Sequence, residues 1–106
     1  MTLDQIRDLL VEADPGIKHY FTMSDADAYS YWEETKPLPF VAEGGHPADA
    51  RGWRFYVHRF TKIEGDPVAA EIYEHLDNSF RIAVRWTIDR ENKTGYIHHI
   101  FECEAF

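Results

Sequence analysis

Apolar residues at Leu3, Ile6, Leu9, Leu10 and Ala13 follow a 3.6-residue repeat and predict a short amphipathic helix. Thr2 with Gln5 three positions on forms a capping box at its start, and Asp14-Pro15-Gly16 stops it. The period then changes to two. Ile17, His19, Phe21 and Met23 share one side of an extended segment, which predicts a strand over 17–23. Polar Ser24 to Ala28 reads as a turn, and Tyr29 to Glu34 as a second extended run. Lys36 to Ala42, KPLPFVA, carries two prolines that donate no ladder hydrogen bond, so it is an edge strand or a loop.

Gly44 to Arg51, GGHPADAR, has the composition of an exposed loop. Gly52 to Ile63, GWRFYVHRFTKI, is the strongest strand in the chain. Trp53, Phe55 and Val57 point one way, and Tyr56 and Phe60 the other. Apolar groups on both sides predict a strand covered on both faces, by a helix or by a neighbouring subunit. Asp66-Pro67 is an N-cap followed by proline at the first helical position. Val68, Ala69, Ile72, Tyr73 and Leu76 continue as a helix ending near Asp77-Asn78. Phe80, Ile82, Val84, Trp86 and Ile88 alternate with Arg81, Arg85 and Asp89. Across the polar RENKTG connection the last strand completes a β-hairpin. The element order predicts one α+β domain over 1–106, a mostly antiparallel sheet with two helices packed on it.

Composition narrows the function classes. With 106 residues there is room for one modest core. No apolar run approaches the roughly 18 residues needed to span a bilayer, and the acidic amphipathic start is unlike a targeting peptide. The single Cys103 excludes an internal disulfide and suits a reducing compartment, so synthesis in the cytoplasm is expected. Nineteen acidic residues against eleven basic ones give a net charge of −8, which disfavours a grip on nucleic acid. Such a chain is simply soluble, or binds a basic partner, or lines a passage to which DNA does not adhere.

The densest concentration of reactive side chains is the closing stretch TGYIHHIFECEAF, with His98, His99, Glu102, Cys103 and Glu104. Alternation along a strand puts His98 and His99 on opposite faces. His99 and Cys103 share a face but stand roughly 13 Å apart at about 3.3 Å per residue. Zinc ligands sit about 2.0–2.3 Å from the metal, so the pair does not close on one ion without a residue from another strand, such as His58 or His19. Glu102 and Glu104 beside Cys103 oppose a reactive thiolate. Glu33-Glu34 diverge in an extended segment, and Gly44-Gly45 lacks the context of a phosphate loop. No catalytic residue, metal or cofactor is therefore expected.

The aromatic content carries more. Phe, Trp and Tyr make up 15% of residues, more than a small core readily encloses. Tyr29, Tyr31, Trp32 and Phe40 surround the proline segment, and Tyr56, Phe60 and Tyr96 lie on what would be the second face of the sheet. Rings with polar handles are typical of interface centres. Tyr31, Trp32, Pro37, Pro39, Phe40, Tyr56 and Phe60 are the expected contact residues, although the same rings would also serve to complete a core.

Laid out this way, the chain resembles the small tail-terminator and tail-completion proteins at the head–tail joint of long-tailed bacteriophages and prophages. The likeness runs through the helix TLDQIRDLLVEAD, the strand IKHYFTM, the segment PLPFVA, the strand WRFYVHRF, the helix DPVAAEIYEHL and the closing hairpin. It lies in architecture rather than in a diagnostic motif. The resemblance implies a non-enzymatic virion assembly protein that forms a homo-oligomeric ring, usually a hexamer, and contacts other tail or neck proteins. It would reside in the host cytoplasm during assembly and then in the virion, with no specific nucleic-acid or membrane binding. Two other readings fit the same sequence: a small acidic adaptor or inhibitor of an anti-defence type that binds a basic protein surface, and a small metal-binding enzyme using some of the six histidines.

Overall fold

A computed structural model of the chain describes residues 1–39 and 50–106. The elements are α1 (Leu3–Ala13), β1 (Lys18–His19), β2 (Ala28–Pro39), β3 (Ala50–Thr61), α2 (Pro67–Asp77), β4 (Ile82–Arg90) and β5 (Ile97–Ala105). The five strands form one sheet in the order β1-β2-β3-β5-β4, antiparallel except for the short parallel β1–β2 pair. This is the α+β architecture expected from the sequence, closing hairpin included. Among the described residues no helix is long and apolar enough to cross a membrane.

Both helices start where the sequence places them. The Thr2 hydroxyl accepts the Gln5 N–H while the Gln5 side chain accepts the Thr2 N–H, a complete capping box. Asp66 caps α2 by accepting the Val68 N–H, with Pro67 at the first helical position. Ile6, Leu10 and Ala13 of α1 and Ala69, Ile72 and Leu76 of α2 are buried against one face of the sheet. There they meet Trp32, Phe55, Val57, Phe101 and Cys103. Each large apolar side chain so buried contributes about 1.5–3 kcal/mol.

Two local expectations need correction. The strand predicted over 17–23 is only Lys18–His19, because Tyr20 takes a φ of 77° and turns the chain out of the ladder. Ile17 enters the core, whereas Phe21 and Met23, expected beside it, are 65% and 82% exposed. The segment beyond His19 is held by other means. The Tyr20 N–H donates to the Trp32 carbonyl, and the His19 ring lies stacked between Tyr20 and Trp32 with its Nε2 2.7 Å from Glu34 Oε2. Phe80, expected to begin the β4 alternation, is 97% exposed and lies before the strand, which starts at Ile82. The proline segment through Pro39 continues β2 along the sheet edge, past register shifts at Glu34/Lys36 and Leu38/Pro39.

A buried group of three charged residues, Arg59, Asp14 and Asp66, lies on the helix-covered side. Arg59 of β3 is 8% exposed and donates through Nε to Asp66 Oδ2 at 2.8 Å and through a terminal nitrogen to Ser30 Oγ at 3.1 Å. The same nitrogen is 3.9 Å from Asp14 Oδ2. Asp14 ends α1 and Asp66 begins α2, so one guanidinium ties an end of each helix to the central strand. Removing one member of a buried charge group leaves the others uncompensated. Arg59→Ala should lower stability by about 3–5 kcal/mol, read as a shift in urea midpoint at constant slope. A loss no larger than that of a surface substitution, under about 0.5 kcal/mol, would show that the clamp is dispensable.

Candidate functional site

The helices cover only one face of the sheet. On the other, the strand registers place side chains in ranks that run across β2, β3, β5 and β4. Tyr29, Phe60, His98 and Asp89 form one rank, and Tyr31, His58, Ile100 and Thr87 the next. Glu33, Tyr56, Glu102 and Arg85 form the third. This face is thus aromatic at one end and charged toward the other, where Arg54 donates to Glu104 Oε1 at 2.6 Å.

The aromatic end is one connected stack. Tyr29 lies on Phe60 with centroids 4.8 Å apart, Phe60 on His98 at 4.0 Å, and Tyr31 on His58 at 4.6 Å. Tyr96 meets Tyr29 and Phe60 edge-on and donates its hydroxyl to the Ala26 carbonyl, anchoring the 20–27 segment beside the patch. From that segment Phe21 packs edge-on against Tyr31 while presenting most of its own surface to solvent. Edge-to-face and offset ring pairs of this kind add about 0.5–1.5 kcal/mol each beyond area burial and fix the rings in place. A rigid aromatic surface loses little side-chain entropy on docking, which suits an interface.

At the centre His58 Nδ1 and His98 Nε2 are 2.9 Å apart, so one imidazole donates to the other. His58 Nε2 faces Glu33 Oε1 at 3.7 Å. Partial burial pushes the His58 pKa below its ordinary value. Burial, followed by repulsion from His58, does the same to His98. His99 lies on the helix side of β5, as alternation requires, accepting the Trp86 indole N–H at Nδ1, and burial lowers its pKa too. Cys103 is buried farther along the same face and its thiol pKa is pushed far up by desolvation, which disfavours the thiolate a nucleophile needs. Among the described residues no group of three or more His, Cys, Asp or Glu side chains is arranged to hold a metal ion.

Of the expected contact residues, Tyr31, Tyr56 and Phe60 share the open face, with Tyr31 itself buried beneath Phe21 and its neighbours. Trp32 does not belong with them. It is 1% exposed, on the helix side, edge-on to Phe55, so the alternation of β2 that puts Tyr31 outward turns Trp32 into the core. Pro37 is exposed on β2, Pro39 ends that strand, and Phe40 lies outside the described residues. Sequence reasoning missed His58 and His98 as a pair and Phe21 as part of the patch. The first needs the β3–β5 register, and the second needs the break at Tyr20. Against known proteins, the sequence matches no family model and no curated relative.

The histidines give the fold a pH dependence of known sign. Folding lowers the pKa of His58, His98 and His99, so between those values and the ordinary one the unfolded chain binds more protons. Their stabilising contribution is complete above about pH 6.5 and is lost as pH falls through that window. Urea midpoints should decline across it, and the His58→Gln/His98→Gln double variant should decline less steeply. Equal slopes for the two proteins would remove the pair from the account.

Proposed function

We propose that this chain is a non-enzymatic assembly subunit whose contact surface is the open face of its sheet. The observation that carries the reading is the stacked patch of Tyr29, Tyr31, His58, Phe60, Tyr96 and His98, which neither helix covers, with Phe21 projecting from its margin. Such rings concentrate binding energy when they are desolvated by a partner. The reading takes up the resemblance to head–tail joining proteins of phages that the element order of the sequence suggests. On that reading the chain packs against copies of itself in a ring, usually a hexamer, and against neighbouring tail or neck proteins. The net charge of −8 then keeps the ring's passage free of adhering DNA.

The test separates docking from folding. Phe21 is 65% exposed, so Phe21→Ser should cost no more than the edge-on pair with Tyr31, about 0.5–1.5 kcal/mol, and leave the chain folded. If Phe21 anchors the contact, the same change should weaken self-association at least tenfold, followed as solution mass by light scattering over a concentration series. Phe60→Ser should act in the same direction, with some loss of stability. A chain that is monomeric at every concentration, or an oligomer indifferent to both changes, contradicts the reading. Salt-sensitive binding to a basic protein by such a monomer would favour an acidic adaptor instead.

A further inference from the structure

The outer edge of β4 is a second surface, chemically unlike the aromatic face. β4 ends the strand order, and among the described residues no strand pairs with its outer side. It runs for nine residues, contains no proline, and keeps one uninterrupted register with β5. The opposite side of the sheet is guarded: β2 there carries Pro37 and Pro39 and two register shifts, which blunt an edge against pairing. β4 has no such device.

Which backbone groups face out follows from the ladder. At its two ends the Glu91 N–H donates to the Tyr96 carbonyl and the Phe106 N–H to the Arg81 carbonyl, in the register of the β4–β5 pairs. Antiparallel ladders alternate between bonded and non-bonded pairs, so odd-numbered residues of β4 bond inward to β5. The N–H and C=O groups of Val84, Trp86 and Ile88 therefore point outward.

We propose that this edge pairs with the same edge of a second copy, antiparallel, about a two-fold axis at Thr87. Every antiparallel self-pairing that brings outward groups together must be centred on a residue, and the side chains choose among those centres. Centred on Arg85, the pairing sets Arg85 against itself. Centred on Thr87, it sets Arg85 opposite Asp89 of the second copy and Asp89 opposite Arg85 of the second copy. It also pairs Trp86 with Ile88 of the second copy, reciprocally, and Thr87 with Thr87. Opposite charges, aromatic with β-branched residues, and threonine with threonine are favourable cross-strand pairs, and here they occur together. Ile88 is 48% exposed in the single chain, and among the described residues neither Arg85 nor Asp89 has an ion-pair partner. The sequence Val84-Arg85-Trp86-Thr87-Ile88-Asp89-Arg90 is self-complementary in this sense. The result joins two sheets into one and leaves both aromatic faces free, so it stands independently of the open-face reading.

Register-specific cross-linking tests this. In a non-bonded antiparallel pair the facing Cα atoms are about 4.5 Å apart, within disulfide range, and the native Cys103 is buried. On mild oxidation of the full chain, Thr87→Cys should give a disulfide-linked dimer on a non-reducing gel, and Arg85→Cys should not. Adding Ile88→Pro, which removes an outward donor without touching the β5 ladder, should abolish the link. In the Phe21→Ser background, where the aromatic-face contact is weakened, Arg85→Asp or Asp89→Arg alone should shift the solution mass from dimer to monomer, and the double exchange Arg85→Asp/Asp89→Arg should restore the dimer. A folded Thr87→Cys protein that does not link, or single charge changes that leave the mass unaltered, overturns the proposal. Phe21→Ser leaves β4 intact, so failure of the aromatic-face contact is read separately.

Discussion

Arg59 sets the arrangement on which the rest depends. A guanidinium inside the helix-covered side has to be paired, since an isolated buried charge is far costlier than any packing gain at one position. Its partners are the residues that end α1 and begin α2. Asp66 divides its carboxylate, one oxygen capping α2 through the Val68 N–H and the other accepting Arg59 Nε. Asp14 does the same less tightly, accepting the Gly16 N–H with Oδ1 and facing Arg59 with Oδ2. One side chain thereby fixes where both helices lie relative to the central strand, and both lie on the same face.

The open face follows from that asymmetry. With α1 and α2 committed to one side, the described rings of β2, β3 and β5 on the other are shielded by one another and by Phe21. The mutual shielding is by stacking, with Phe60 against Tyr29 and His98, and Tyr31 against His58. The helix side shows what full enclosure looks like: Trp32, 1% exposed, lies edge-on to the fully buried Phe55. The contrast between an enclosed tryptophan and a half-covered stack separates structural aromatics from those held ready for a partner.

Much of this was legible in the residues. The capping box at Thr2, the Asp66-Pro67 start of α2 and the clean alternation of β5 are local signals, and local geometry obeyed them. Alternation alone placed His98 and His99 on opposite faces. The readings that failed depended on information a linear pattern lacks. Tyr20 adopts a left-handed backbone because its neighbour His19 is wedged against Trp32 and held by Glu34, a contact across 15 positions of chain. Trp32 was grouped with its aromatic neighbours by proximity in sequence, although the strand period assigns it the other face. Arg59 received no role from the sequence pattern. Its burial becomes intelligible only once Asp14 and Asp66 are brought together around it.

The central claim is that the stacked aromatic face is where this chain meets its neighbours. Hydroxyl-radical footprinting of the dilute and the assembled protein, read by mass spectrometry residue by residue, tests it most directly. The account predicts that Phe21, Tyr29, Phe60 and Tyr96 lose reactivity on assembly while Phe80 and Tyr73 keep theirs. Undiminished reactivity across the open face in the assembled particle, with protection confined to the helix side, would contradict it.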